Sequence, residues 1–135
     1  MNLAPLRESV RGELRDDDSI LATYNRDASR LKARPLGVFW PLDTTDVHSV
    51  VHWARERSIP LVPRGAGTGL AGGSVGQGLI VDTARLTQIE IQEDNLLAIV
   101  GAGVINTHLQ DALKPYRLFW PPDPSSHRIS SSEET

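Results

Sequence analysis

The chain carries a glycine-rich segment, RGAGTGLAGGS, whose composition suits the binding of an anion by backbone groups. The segment spans residues 64–74 and holds five glycines in eleven residues, soon after the apolar run at residues 59–62. Glycine has no Cβ and adopts positive φ, so successive N–H groups can converge on one anion without steric hindrance. A diphosphate is the natural candidate, and Arg64 adds a cation beside it.

The same segment can also be read as a flexible surface turn, because short glycine motifs often match by chance. Its flanks favour the anion-binding interpretation. Pro63 stiffens the start, and a second apolar run at residues 79–81 follows, so both ends can be anchored in a core. A free linker would not need such anchoring.

Two well-known phosphate-binding signatures nearly match, and both fail. Residues 67–72 fit G-x-G-x-x-G by letter, but the dinucleotide fingerprint requires a helix that begins inside the motif. Here Gly76 and Gly78 follow instead and lead into a predicted strand. Residues 67–74 resemble a Walker A loop, yet Gly73 stands where the phosphate-binding lysine belongs. The sequence therefore supports neither a Rossmann dehydrogenase nor a P-loop NTPase.

Composition excludes several classes of protein. A chain of 135 residues with 39% hydrophobic content suits one domain with a modest core. A net charge of −3 gives no positive field for nucleic acid, and the absence of cysteine excludes disulfides and thiolate catalysis. No apolar run approaches the roughly 20 residues of a membrane span, so we expect a cytoplasmic protein.

One histidine pair resembles a metal site only in its spacing. His48 and His52 lie four residues apart on a predicted helix, but they project toward its polar side and lack the glutamate of H-E-x-x-H. We therefore assign no metal ligands and, on the residues present, no catalytic ones.

Apolar periodicity predicts the elements that position the glycine-rich segment. Leu3, Leu6, Val10 and Leu14 recur at helical spacing and predict one amphipathic N-terminal helix. Further helices are predicted at about residues 44–57 and 105–114, the first with a core-facing stripe formed by Val47, Val50, Val51 and Ala54. Strands are predicted at residues 37–40, 59–62, 79–81, 89–91, 96–100 and 118–120. This order predicts an α+β fold, a small mixed and partly parallel sheet flanked by helices.

Four motifs, in order, are typical of a known family. They are YNRDAS at residues 24–29, the segment 41–51, IPLVPRGAGTGLAGGS at residues 59–74 and FWPPDPSS at residues 119–126. Together they resemble the FAD-linked oxidase family, the flavoproteins related to vanillyl-alcohol oxidase that carry a PCMH-type FAD-binding domain. The most similar branch is that of the glycolate oxidase and D-lactate dehydrogenase flavoproteins.

The resemblance implies an FAD-binding protein in which the glycine-rich segment holds the pyrophosphate. The residues so implied are Arg64, Gly65, Ala66, Gly67, Thr68, Gly69, Gly73 and Ser74, with Pro122, Asp123 and Ser125 lining the cofactor. Some relatives attach FAD through a histidine that aligns with Thr68, so the resemblance implies noncovalent FAD here. We divide the chain into an N-terminal helix with an extended segment (residues 1–34), a pyrophosphate-binding subdomain (35–126) and a disordered polar tail (127–135).

The match ends after PPDPSS, where family members continue into further FAD contacts and a substrate domain. This chain reads HRISSSEET instead. We therefore expect an FAD-binding module of a 2-hydroxy-acid oxidoreductase that is incomplete, binds FAD weakly or not at all, and is not catalytic alone. An alternative is a noncatalytic interaction piece, or a subunit completed by a separate flavoprotein chain or by a second copy; a shortened gene product is a third. An exposed apolar surface is expected in each case.

Overall fold

A four-stranded mixed sheet forms the centre of the computed structural model, which describes residues 2–122 and residue 128. Its strands are β1 (Glu13–Arg15), β2 (Gly37–Trp40), β3 (Leu61–Arg64) and β4 (Leu79–Asp82). They lie in the order β1-β2-β4-β3; β1 is antiparallel to β2, and the other pairs are parallel. The predicted α+β fold with a small mixed sheet is confirmed, with β3 beginning two residues later than expected.

Besides this sheet, the described part of the chain has four helices and a hairpin. The helices are α1 (Ala4–Ser9), α2 (Asp18–Thr23), α3 (Thr44–Glu56) and α4 (Asn106–Leu113). The hairpin pairs β5 (Ile89–Gln92) with β6 (Leu97–Val100) around a short 3-10 turn, as the sequence predicted. α4 packs with the hairpin in a cluster separate from the core of the sheet. Within the described residues, no helix combines the length and the apolarity needed to cross a bilayer.

The core is built on the two central strands. Val38, Phe39, Leu79 and Ile80 have no exposed surface, so β2 and β4 are buried on both faces, as parallel strands usually are. β3 is an edge strand, which accommodates Pro63 because an edge position tolerates a residue without an N–H group.

The N-terminal segment differs from the single helix that was predicted. α1 ends at Ser9, and Leu14 belongs to β1, where it is buried in the same core cluster as Leu3 and Leu6. The helical spacing arose because a helix and a strand present apolar residues to one core. Gly12 lies between α1 and β1, and a Cβ at this position would collide with the carbonyl oxygen of Trp40. The backbone at Gly12 therefore passes too close to β2 to carry a side chain.

Asp43 sets the start of α3 as its N-cap. Its Oδ1 accepts hydrogen bonds from the N–H groups of Thr45 (3.0 Å) and Asp46 (3.1 Å). The buried face of α3 consists of Asp46, Val50, Trp53 and Ala54. Val51, which the sequence placed in the core-facing stripe, is 48% exposed because the buried face is rotated toward Asp46 and Trp53.

Asp46 is a buried carboxylate that connects three segments. It is 2% exposed, and its two oxygens accept the N–H groups of Arg11 and Leu42, each at 2.9 Å.

Asp46→Ala should lower the free energy of unfolding by about 2 kcal/mol or more, since it leaves partly buried backbone donors unpaired. Urea denaturation measures this change. The control Asp111→Ala removes an exposed ion pair with Lys114 and should change stability by less than about 1 kcal/mol; similar losses in both variants would contradict the structural role of Asp46.

Residues 118–120 do not form the buried strand that was predicted. Phe119 is 75% exposed and Trp120 is 43% exposed. The side chain of Gln110 satisfies the backbone of Trp120 instead, accepting from its N–H (3.1 Å) and donating to its carbonyl oxygen (2.5 Å). Apolar composition indicated burial, but no neighbouring strand among the described residues pairs with this segment.

Candidate cofactor site

The glycine-rich loop, residues 65–78, connects two adjacent parallel strands without a helix. It leaves the carboxyl end of β3 at Arg64 and returns to the start of β4 at Leu79. Parallel strands are usually joined through a helix, but this connection contains none. The loop therefore lacks the helix N-terminus on which the Rossmann fingerprint depends. Any anion bound here must be held by loop amides rather than by a helix dipole.

A small hollow opens over this loop. It has a volume of about 300 Å³ and is lined by Pro63, Gly65, Gly69, Leu70, Ala71, Gly73 and Ser74. No heavy atom of the described residues lies within 4 Å of the positions that Cβ atoms on Gly69 and Gly73 would take. Within the described part of the chain, the N–H groups of these two glycines make no hydrogen bond. The described residues that line the hollow therefore offer free amide donors and no carboxylate, which fits a diphosphate.

Two other glycines shape the loop instead of lining the hollow. Gly67 has φ +70° and Gly72 has φ +77°, conformations that L side chains rarely adopt. A Cβ on Gly67 would lie 2.7 Å from Nη2 of Arg64, and one on Gly72 would collide with Cδ1 of Leu31. Glycine is needed at both positions for the loop to keep its path.

The YNRDAS segment, residues 24–29, supports the loop from one side. The N–H of Ala28 donates to the carbonyl oxygen of Gly67 (3.0 Å), and Oγ of Ser74 donates to Oδ2 of Asp27 (3.1 Å). Burial alone would raise the pKa of Asp27, but hydrogen bonds from Ser29 and Ser74 outweigh it and hold that pKa below its usual value. Asp27 therefore accepts these bonds as a carboxylate at neutral pH.

Arg64 does not face the hollow, although the sequence suggested a cation beside the anion. Its Nη1 donates to the carbonyl oxygens of Arg26 (3.0 Å) and Ser74 (3.3 Å). Its guanidinium carbon lies 4.8 Å from the ring centroid of Tyr24, in cation–π geometry. The side chain is thus directed into the support of the loop.

Tyr24 and Asp82 form a contact that the sequence did not reveal. The Tyr24 hydroxyl donates to Oδ2 of Asp82 at 2.5 Å, and Asp82, which is 4% exposed, accepts the N–H of Ala84 through Oδ1 at 2.8 Å. Burial, followed by the hydrogen bond to Asp82, raises the pKa of the Tyr24 phenol well above its ordinary value. In the sequence, the position of Asp82 close to the glycine-rich loop was the only feature that could have indicated this contact.

The raised pKa of Tyr24 makes alkaline stability depend on this phenol. The neutral phenol stabilises the fold in full below about pH 10, and the contribution declines as the pH rises toward the raised pKa. Between about pH 9 and pH 12, wild-type protein should therefore lose more unfolding free energy than Tyr24→Phe. Denaturant unfolding at several pH values measures this difference. Tyr116→Phe serves as the control, since Tyr116 is exposed, and equal declines in wild type and Tyr24→Phe would contradict the assignment.

The other predicted site residues lie apart from the hollow or outside the described part. Ala66 is exposed, and Thr68 is half-buried within the loop. Pro122 lies against α4, where its carbonyl oxygen accepts from Nδ2 of the buried Asn106 at 3.3 Å. Asp123 and Ser125, like nearly all of the predicted tail, fall outside the described residues.

A separate groove runs between the hairpin, α4 and residues 118–120. It has a volume of about 500 Å³, and apart from Asn106 its lining is apolar or aromatic. Leu96, Leu97, Phe119 and Trp120 are its most exposed side chains. Such a surface was expected from the sequence.

The described residues contain no group of three metal-ligating side chains. His48 and His52 are both exposed on α3, and Nδ1 of His52 lies 3.5 Å from Oε1 of Glu56. This contact is an ordinary one between side chains one helical turn apart.

Comparison with known proteins gives relatives over nearly the whole chain. Residues 35–131 match the family model described as FAD binding domain. D-lactate dehydrogenase of Archaeoglobus fulgidus is 40% identical over 88 residues, covering 64% of this chain and 20% of that protein. Glycolate oxidase subunit GlcD of Bacillus subtilis is 38% identical over 128 residues, covering 90% of this chain and 27% of that protein. The chain thus spans about a quarter or less of the length of these relatives.

A solved structure with the same fold is 4-ethylphenol oxidase from Gulosibacter chungangensis, in complex with isoeugenol. The TM-score is 0.81 over 98% of this chain and 27% of that chain, at 23% identity. At this identity the likeness establishes the fold alone.

Proposed function

Because the chain belongs to the FAD binding domain family, we propose that its glycine-rich loop holds the pyrophosphate of FAD. FAD is the cofactor of this family, and the family match includes the whole loop. The observation that carries the proposal is the pair of free amides at Gly69 and Gly73 on the open hollow.

We assign the residues that line the hollow two different roles in binding. The N–H groups of Gly65, Gly69 and Gly73 donate to the anion, while Ser74 is fixed by Asp27 and holds the end of the loop in place. Residues 64–74 include no histidine and no cysteine, so we propose that FAD is bound noncovalently at this loop. The hollow is at the small end of ligand sites, which suits a diphosphate better than a whole dinucleotide.

We further propose that this module serves an oxidoreductase acting on 2-hydroxy acids. The relatives named D-lactate dehydrogenase and glycolate oxidase subunit GlcD support this substrate class, since lactate and glycolate are 2-hydroxy acids. FAD, when bound, supplies the two-electron acceptor for such an oxidation. The described residues that line the hollow include no acid or base, so we propose that turnover needs further groups.

A titration of the full chain with FAD, followed by flavin fluorescence and absorbance, tests the pyrophosphate site. We expect saturable binding with a Kd of micromolar order, about −8 kcal/mol, and displacement by ADP, which carries the same diphosphate. FAD binding that ADP does not displace would place the flavin elsewhere. No saturation at FAD concentrations of about 1 mM would overturn the proposal.

A second candidate is a subunit that another chain or a second copy completes. The apolar groove beside α4, with Phe119 75% exposed, favours it because isolated proteins seldom expose such surfaces without a partner. Size-exclusion chromatography with light scattering, together with binding of a hydrophobic dye, tests this candidate. A monomer that binds no dye would argue against it.

A further inference from the structure

We propose that Tyr24, Arg64 and Asp82 form one positioning unit that fixes the glycine-rich loop from beneath, with Arg64 acting as an internal brace and not as a ligand of the anion. None of the three lines the hollow, so all are positioning residues. The inference deepens the proposed function and rests on it only where FAD affinity is measured.

The Arg64 side chain connects three parts of the chain through one nitrogen. Arg64 ends β3, and its Nη1 reaches the carbonyl oxygen of Ser74, ten residues further on, as well as that of Arg26. The loop backbone passes directly over the guanidinium, since a Cβ on Gly67 would lie 2.7 Å from Nη2. The Arg64 guanidinium therefore lies against the loop at its start, its middle and its end.

The orientation of the guanidinium is set by Tyr24. The Tyr24 ring lies 4.8 Å from the guanidinium carbon, and it is held edge-on by Trp40, with ring centroids 5.7 Å apart and planes at 89°. A planar cation on an aromatic face has few alternative orientations, so a fixed ring gives a fixed brace. Movement of Tyr24 would release Arg64.

Asp82 fixes Tyr24 in turn. It pairs with Arg64 in the register of β3 and β4, is buried, and accepts the Tyr24 hydroxyl at 2.5 Å. Because its other oxygen is held by the N–H of Ala84, the carboxylate cannot rotate freely. Asp82 on the rigid sheet thus limits the movement of Tyr24, and Tyr24 in turn limits the movement of Arg64 beneath the loop.

Amide hydrogen exchange on the FAD-free protein tests this unit without any ligand. Arg64→Met and Tyr24→Leu should each speed exchange in residues 65–74 by about tenfold, with exchange in α3 unchanged. Tyr24→Phe keeps the ring and should remain closer to wild type. Arg55→Met, on the exposed side of α3, is the charge control and should change nothing. Unchanged loop exchange in Arg64→Met would overturn the proposal, and this variant decides the matter if Tyr24→Leu does not fold.

FAD affinity then separates a brace from a ligand. Arg64→Met and Tyr24→Leu should each weaken FAD binding by about tenfold, and the double variant by little more, because residues acting as one unit are not additive. Additive losses, or a loss in Arg64→Met without faster loop exchange, would mean that Arg64 contacts the anion directly and would overturn the proposal. If wild-type protein binds no FAD, the proposed function fails, while the exchange measurement still decides the positioning role.

Discussion

Gly73→Leu abolishes FAD binding and leaves the fold intact: this is the expected result if the hollow over the loop is the pyrophosphate site. Among residues 2–122, no heavy atom lies within 4 Å of a Cβ on Gly73, so this part of the protein has room for the new side chain. That room is the hollow itself, and leucine would occupy the space of the anion and cover its amide donors. We expect Kd for FAD to rise by about 100-fold or more, roughly 2.7 kcal/mol, with an unchanged unfolding midpoint.

The choice of Gly73 avoids an ambiguity at Gly67. A side chain at Gly67 would strain a positive φ and press on Arg64, so lost binding there would not separate a blocked site from a distorted loop. Gln77→Leu is the matched control, since Gln77 is exposed in the same loop and does not line the hollow. If Gly73→Leu binds FAD with wild-type affinity, or if Gln77→Leu loses as much FAD affinity, the hollow is not the pyrophosphate site.

Phe39→Ala should destabilise the protein by about 3 to 5 kcal/mol. Phe39 has no exposed surface and lies in the cluster that joins α1, α3 and the central strands, so its removal leaves a cavity that the surrounding structure cannot fill. A loss of this size is a large share of the stability of a small domain, so part of the population would be unfolded. Urea denaturation with a linear extrapolation measures it.

Val51→Ala is the control for this core substitution. Val51 lies on the exposed side of α3, and its truncation should change stability by less than about 0.5 kcal/mol. A similar effect for the two variants would contradict the burial of Phe39 in this cluster. Because the sheet carries Arg64 and Asp82, the FAD affinity measured for Phe39→Ala should fall in proportion to its folded fraction.

Elements with strong local signals could be predicted from the sequence. Asp43 has the side chain of an N-cap, and α3 begins directly after it. The turn at residues 93–95 separates two apolar runs, which pair as the predicted hairpin. The density of glycine predicted a loop whose backbone can approach an anion closely, because the lack of a Cβ depends on residue type alone.

Features that depend on tertiary contacts could not be predicted. Leu14 has helical spacing from Leu6 but lies in a strand, since periodicity reports that residues share a core and not which element carries them. The Arg64 guanidinium lies over the ring of Tyr24, which is forty residues away in the sequence and comes beside Arg64 only through folding. A charge next to the glycine-rich segment indicated a ligand of an anion, whereas in the structure the Arg64 guanidinium contacts two backbone carbonyl oxygens and the ring of Tyr24.

The strand order also constrains how the protein forms during synthesis. β4 lies between β2 and β3 yet is the last of the four strands in the chain. Until residue 82 has left the ribosome, β2 and β3 have no common neighbour, and their apolar strands remain exposed. Pairing Gly37 with Leu79 must also close a long loop first, which slows folding. The nascent chain is therefore most open to misassembly just before its central strand emerges, the stage at which a holding chaperone would have the greatest effect.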